Sequence, residues 1–223
     1  MTGIIFDFNG TMFQDSDLHE AAWITMLKKY SDRQLTEEDI LKNLHGKINP
    51  VVLRHFLSDQ LTDQEIEKLS DEKEAIYRQM VRDSPDHQQM TQGMVATLDA
   101  LKEQKIPMTI ASASRRRNMD FYFDLFDLNC WFDPEKVVVD NGTFPGKPAP
   151  DIFLIAAEKI GVSPADAIVI EDSYSGIQSA ENAKIGKIIA IDPLGKNREQ
   201  FAKEQLRIDG IIEDFDGFVE KYI

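Results

Sequence analysis

Cysteine is almost absent from the sequence, since Cys130 is the only one in 223 residues. An intramolecular disulfide is therefore excluded, which is typical of proteins from a reducing compartment. No apolar run approaches the roughly 20 residues that a membrane-spanning helix needs. The first residues lack the basic start and the length of a signal peptide. We therefore expect a soluble, cytoplasmic protein, either a monomer or a weak dimer.

Positive charge is also scarce, with 25 basic against 39 acidic residues and a net charge of −14. Such a chain repels nucleic acids and anionic membrane surfaces, so neither is expected as a partner. An anionic small molecule would need a local positive site to overcome this field. Hydrophobic residues make up 42% of the chain, enough for a large folded core.

Short apolar runs alternate with longer helical patterns along most of the chain. Buried strands are predicted at 3–6, 107–111, 136–139, 167–170, 187–191 and 210–212. Because each run is continuously apolar rather than alternating, the pattern predicts strands that are covered on both faces. The fold class is therefore α/β, a doubly wound parallel sheet of the Rossmann type.

The stretch from 14 to 87 departs from this alternation, because it is polar and helical throughout. The simplest architecture has an α/β core formed by residues 1–13 and 88–223, with a helical domain of residues 14–87 inserted after the first strand. Such a block is typical of a cap over a binding site. An ordinary helical decoration without a lid role is the alternative.

Polar residues that suit phosphate chemistry follow several of the predicted strands. Asp7 follows the first strand, Ser112 the second, and Lys147 lies in the loop after the third. Glu171 and Asp172 follow the fourth. Each residue alone has a common structural explanation, such as a turn, a cap or a solvated lysine. Ligands of open parallel sheets bind beyond the carboxyl ends of the strands, so the set together predicts a site for a divalent cation and a phosphate.

These segments resemble the motifs of one family, the haloacid dehalogenase superfamily, in its branch of helical-cap sugar-phosphate phosphatases and β-phosphoglucomutase-like proteins. The segment from Asp7 to Thr11 (DFNGT) resembles the first motif, Ser112 the second, Lys147 the third, and Glu171 with Asp172 the fourth. The stretches 18–23, 147–153 and 171–180 are similar as well. The resemblance extends over the whole chain.

The resemblance implies that Asp7 attacks phosphorus and forms an aspartyl-phosphate, which splits one difficult displacement into two steps. It implies Mg²⁺ as the cofactor, bound by the Asp7 carboxylate, the Asn9 main-chain carbonyl and the Asp172 carboxylate. Glu171 would orient a water molecule on the metal. Ser112 and the Ala113 N–H would bind the phosphoryl group of a small phosphorylated substrate, and Lys147 would offset negative charge.

Asn9 departs from the family pattern, which places a second aspartate two residues after the nucleophile. That aspartate would protonate the leaving oxygen and later activate the incoming water, and an amide can do neither. Acid–base assistance of this kind is typically worth roughly 10²–10⁴-fold. Alkyl phosphates should therefore react slowly, while leaving groups that need no proton should suffer less. Asn9-Gly10 is also prone to deamidation, which could regenerate an aspartate unless the loop is rigid.

Three further residues are candidate substrate contacts. His19 and Lys47 belong to the predicted cap, and Arg115 follows the second strand. Each has an alternative explanation: His19 as a packed or hinge residue, Lys47 as a solvated lysine, Arg115 as part of a solvated helix start. His45 is a weaker candidate of the same kind.

The function expected is a magnesium-dependent phosphatase (a phosphoric monoester hydrolase) for small phosphorylated metabolites such as sugar phosphates. Two alternatives remain open. A β-phosphoglucomutase-type isomerase fits the motifs around Lys147 and Glu171, but Asn9 disfavours it because a mutase transfers protons in both directions. A catalytically weak binding or regulatory protein is disfavoured because a pure binder has no need of the nucleophile Asp7.

Overall fold

A computed structural model describes residues 2–31, 35–36, 39–40, 43–44, 48–195 and 197–223. The chain forms two compact units. One comprises Met1–Gln14 with Gln89–Ile223, and the other is Asp15–Gln88. Within the part of the chain described, no helix is both long enough and apolar enough to span a membrane.

The first unit is built on a six-stranded sheet. In chain order its strands are β1 (Gly3–Phe6), β2 (Met108–Arg115), β3 (Val138–Asp140), β4 (Ala167–Glu171), β5 (Lys187–Ile191) and β6 (Gly210–Ile212). All neighbouring strands pair in parallel, in the order β3-β2-β1-β4-β5-β6. The predicted α/β fold with a parallel sheet and an inserted helical region is confirmed.

Helices cover the sheet, which explains why its strands are continuously apolar. In this unit they are α4 (Met94–Glu103), α5 (Arg116–Phe126), α6 (Asp151–Lys159), α7 (Tyr174–Asn182), α8 (Arg198–Lys203) and α9 (Phe218–Tyr222). Successive side chains of a strand face opposite sides of the sheet. In β1, Ile5 packs in a core cluster with Phe153 of α6 and Ile177 of α7. Phe6 instead contacts Phe132 and Phe215.

Two strands differ from the sequence prediction by more than one residue at an end. β2 was expected to end at Ala111, but it continues to Arg115, with an irregular register between Ser112 and Arg115. β3 starts at Val138 rather than at 136. The apolar run could not locate the end of β2, because Ser112 keeps its ladder partner Val139 although it is polar.

The second unit consists of helices that pack on their own core. Those described over their full length are α1 (Ser16–Tyr30), α2 (Asn49–Phe56) and α3 (Asp63–Asp83). Trp23, Met26, Leu53 and Leu69 are among the buried residues of this core. The predicted start of α3 is confirmed as a capping box, in which Thr62 and Glu65 satisfy each other's main-chain N–H groups. The role of this unit as a cap stays a prediction.

Candidate active site

The sheet brings the predicted motifs to its centre. The strand order reverses between β1 and β4, and such a switch point opens a crevice at the carboxyl ends of the strands. Asp7 follows β1, and its main-chain N–H donates to the Ile170 carbonyl of β4 at 3.0 Å. Glu171 ends β4 and Asp172 follows it. Parallel pairing alone therefore places these three acids at one edge.

Lys147 joins two of these acids. Its Nζ donates to Oδ1 of Asp7 and to Oε1 of Glu171, each at 2.6 Å. All three side chains are at least nine-tenths buried. Nζ also lies 5.1 Å from the centre of the Phe153 ring, a distance at which a cation is attracted to an aromatic face. The loop after β3 thus returns a lysine to the site, as the sequence predicted.

The charge of Lys147 is maintained by its partners. Burial disfavours an ammonium group, but the adjacent carboxylates of Asp7 and Glu171 outweigh that effect and hold the pKa of Lys147 above its usual range. Lys147 is therefore a permanent cation in the site. It supplies the local positive charge that an anionic substrate needs in a protein of net charge −14.

Asp172 lies in the opposite electrostatic situation. Burial is the largest cause that raises the pKa of Asp172 well above its usual value. The negative charges of Glu171 and Asp7 raise this pKa further. Gly10 allows this crowding, since its backbone has φ +78° and a Cβ there would overlap the Asp172 carboxylate. Thr11 Oγ1 donates to Asp172 Oδ1 at 3.4 Å.

The carboxylates fit a divalent metal ion. One oxygen each from Asp7, Glu171 and Asp172 lies within 4.8 Å of the others. An all-oxygen set of this kind suits hard cations such as Mg²⁺. One ammonium group faces three carboxylates, and the raised pKa of Asp172 reflects this excess of negative charge. A divalent cation would offset it.

Glu171 already has protein partners for both of its oxygens. Oε1 accepts from Lys147, while Oε2 accepts from the main-chain N–H of Ser173 at 2.6 Å and from its hydroxyl at 2.9 Å. A Cβ on Gly176 would overlap this carboxylate. Glu171 therefore orients Lys147 and the start of α7, and its role at a metal site stays a prediction.

The predicted phosphate-binding residues lie on the neighbouring strand. Ile110 of β2 pairs with Phe6 of β1, so Ser112 lies two residues beyond the pair that precedes Asp7. Ser112 is buried, and its Oγ accepts from the Ser114 N–H at 3.1 Å. Ala113 between them is exposed. This arrangement presents a hydroxyl beside an accessible main-chain segment.

Asn9 is held through its amide. Its Nδ2 donates to the Tyr122 hydroxyl at 2.8 Å, and its Oδ1 accepts from the Ser114 hydroxyl at 2.7 Å. The loop around it is tight, since the Phe8 carbonyl accepts from the N–H groups of residues 11, 12 and 13. The Asn9 side chain is thus tied to α5 and to the end of β2.

Four other residues were predicted as substrate contacts. Lys47 and His45 lie outside the described residues. His19 stacks on Tyr77 with ring centres 3.8 Å apart, and its Nδ1 lies 2.7 Å from Nζ of Lys73. Arg115 ends β2. A substrate role for His19 or Arg115 stays a prediction.

Two residues of interest were missed from the sequence. Tyr122 gave no signal, because its contact with Asn9 depends on how α5 packs on β2 and against Phe8. Lys73 did give one: it occupies the same face of α3 as Ile66, Leu69 and Tyr77, at intervals of three and four residues. A lysine at a core position of an amphipathic helix could have been noticed.

Known proteins resemble the chain over nearly its full length. A family described as haloacid dehalogenase-like hydrolase matches residues 1–184. Among solved structures, a haloacid dehalogenase hydrolase of family IA, variant 3, from Entamoeba histolytica is 36% identical. The match has a TM-score of 0.88 and covers 97% of this chain and 94% of that one.

Two curated relatives carry names that describe their reactions. A phosphorylated carbohydrates phosphatase of Thermotoga maritima is 26% identical over 199 residues, covering 86% of this chain and 85% of that protein. A β-phosphoglucomutase of Bacillus subtilis is 29% identical over 189 residues, with coverages of 82% and 80%.

Proposed function

This chain belongs to the haloacid dehalogenase-like hydrolase family, as an enzyme of the phosphatase type, and we propose that it hydrolyses small phosphate monoesters through an aspartyl-phosphate on Asp7. The observation that carries the proposal is the buried bridge from Lys147 to Asp7 and Glu171, next to Asp172. A nucleophilic carboxylate, a fixed cation and an oxygen cluster are the groups that phosphoryl transfer requires.

In the first step an Asp7 oxygen attacks phosphorus, an O–P bond forms, and the bond to the leaving oxygen breaks. Lys147 attracts the phosphate and limits repulsion between it and the attacking carboxylate. Ser112 and the Ala113 N–H bind the phosphoryl oxygens. In the second step water attacks phosphorus, inorganic phosphate leaves, and the Asp7 carboxylate is restored.

Mg²⁺ fits as the cofactor, with Asp7, the Asn9 main-chain carbonyl and Asp172 as the residues that would hold it and Glu171 in support. When bound, it would neutralise charge on the phosphoryl oxygens. The carboxylate cluster supports this choice, because its crowded negative charges are compensated by a divalent cation.

The substrate class proposed is a phosphorylated carbohydrate, which the Thermotoga relative's name supports. Asn9 limits the rate on such substrates, because an amide cannot protonate an alkoxide leaving group. A mutase is the second candidate, favoured by the Bacillus relative. The same amide argues against it, since a mutase needs proton transfer in both directions.

The proposal is tested by Mg²⁺-dependent phosphate release from an aryl phosphate and from a panel of sugar phosphates. We expect native enzyme to prefer the aryl ester. Asn9→Asp should raise turnover of sugar phosphates by up to roughly 10²-fold, the lower end of acid–base assistance, and should change the aryl rate less. Asp7→Ala should abolish both activities.

Other outcomes separate the alternatives. Interconversion of hexose phosphates without net release of phosphate would favour the mutase. Absence of Asp7-dependent turnover on every substrate would favour a binding protein. Asp140→Asn is the matched control, since Asp140 also lies at the carboxyl end of a strand but outside the carboxylate cluster.

A further inference from the structure

The Asn9 amide has a complementary partner at each end. The Ser114 hydroxyl donates to Oδ1 and the Tyr122 hydroxyl accepts from Nδ2, at 2.7 and 2.8 Å. An amide offers one acceptor and one donor group in a plane, so this pair of hydroxyls fits it at both ends. Neither residue belongs to the motifs that define the site.

Both hydroxyls are carried by regular elements of the structure, Tyr122 by α5 and Ser114 by β2. Tyr122 is fully buried and stacks on Phe8, with ring centres 4.4 Å apart and planes 23° apart. Ser114 lies in the last part of β2, and its main-chain N–H donates to the Ser112 hydroxyl at 3.1 Å. The amide is therefore fixed by positions that packing has already determined.

The residue that follows makes this fixation chemically important. In an Asn-Gly pair, the glycine nitrogen can attack the asparagine Cγ, with loss of ammonia and formation of a cyclic imide. Water then opens the imide to aspartate or isoaspartate. Attack requires the side chain to rotate towards Gly10 N. That N–H is itself donated to the Phe13 carbonyl at 2.7 Å.

We propose that Tyr122 and Ser114 are positioning residues that clamp the Asn9 amide and protect it from deamidation, so that residue 9 remains an amide in the working enzyme. The clamp holds Nδ2 and Oδ1 in one orientation, while the bond from Gly10 to Phe13 occupies the attacking nitrogen. These contacts thereby prevent the conversion of Asn9 to aspartate.

The chain contains its own reference for this reaction. Asn141 and Gly142 form a second Asn-Gly pair, in the loop after β3, and both residues are exposed. The Asn141 Oδ1 accepts from the nearby Thr143, through its N–H at 3.0 Å and its hydroxyl at 2.6 Å. Asn9-Gly10 is thus the less exposed pair, and its asparagine is held by residues distant in sequence. Asn141-Gly142 is exposed, and its asparagine is held by a residue two positions away.

The test is peptide mass spectrometry of native protein incubated at mildly alkaline pH, following the mass increase at both pairs. We expect Asn141 to deamidate and Asn9 to react at least about tenfold more slowly. Tyr122→Phe and Ser114→Ala should each accelerate Asn9 by up to about tenfold, the order expected for one lost hydrogen bond. Ser114→Thr, which keeps the hydroxyl, should restore protection.

A general loss of stability must be distinguished from loss of the clamp. Ile188→Val in β5 is the control, because it removes buried volume without touching Asn9. The proposal is overturned if Ile188→Val accelerates Asn9 as much as Tyr122→Phe does, or if Asn9 and Asn141 react equally fast in native protein. The readout is a mass change rather than turnover. The clamp proposal can therefore be overturned while the proposed phosphatase function still holds.

Discussion

Among the described residues, the α/β unit has a lysine with a buried side chain, Lys147, and so has the helical unit, Lys73. Lys147 contacts two buried carboxylates, and its pKa is held above the usual range. Lys73 is only 2% exposed and contacts Glu74 at 2.9 Å and His19 at 2.7 Å. Burial lowers the pKa of Lys73 despite the opposing charge of Glu74. Similar side-chain burial thus accompanies opposite shifts in pKa, and Lys147 differs in contacting two carboxylates directly.

The two lysines should therefore contribute to stability with opposite dependence on pH. Lys147 has a folded-state pKa above the unfolded value of 10.5, so its contribution is fully present below that pH and is lost as the pH rises through the folded value. Lys73 has a folded-state pKa below 10.5. At pH values between the folded-state pKa of Lys73 and 10.5, the unfolded chain binds more protons than the folded protein does. In that range the free energy of unfolding therefore rises with pH.

The largest effect is expected from Lys147→Met. Two buried carboxylates would then face each other and the substrate phosphate without a cation, and we expect the catalytic efficiency on an aryl phosphate to fall by roughly 10²–10³-fold. Steady-state kinetics measure it, with Lys136→Met, an exposed lysine of the same unit, as control. A loss of less than tenfold would show that Lys147 is structural.

A smaller effect is expected from Glu74→Gln. Removing this carboxylate leaves the Lys73 ammonium with less compensation, and breaking a charged hydrogen bond typically costs about 1.5–3 kcal/mol. Urea denaturation at neutral pH should report that loss of stability. Glu67→Gln, an exposed position of the same helix, is the matched control. Equal stability of the two variants would contradict the ion pair.

The smallest effect is expected from Lys73→Met, because methionine no longer buries an ammonium group and Glu74 keeps its hydrogen bond from Asn49. Its diagnostic is the pH dependence. As the pH rises towards 10.5, the unfolded value, native protein should gain stability relative to Lys73→Met in urea titrations. Lys68→Met, exposed on α3, should instead run parallel to native protein. Parallel curves for Lys73→Met would refute a lowered pKa.

The candidate site could be predicted from the sequence only in part. Asp7, Lys147, Glu171 and Asp172 were predicted to lie together because parallel strands deliver their carboxyl ends to one edge, a consequence of the strand pattern alone. The contact of Tyr122 with Asn9 was not predictable, because residues 113 positions apart meet only through the packing of α5.

The central claim is that Asp7 carries the phosphoryl group, with Asn9 unable to assist its removal. Rapid mixing with an aryl phosphate, followed by acid quench, measures both released phenol and phosphate on the peptide containing Asp7. We predict a burst of phenol close to one per enzyme and a phosphorylated Asp7 peptide, because the first step needs no proton and the second lacks a base. Asn9→Asp should reduce both the amplitude of the phenol burst and the amount of phosphorylated Asp7 peptide. Linear phenol release with no phosphate on that peptide would contradict the account.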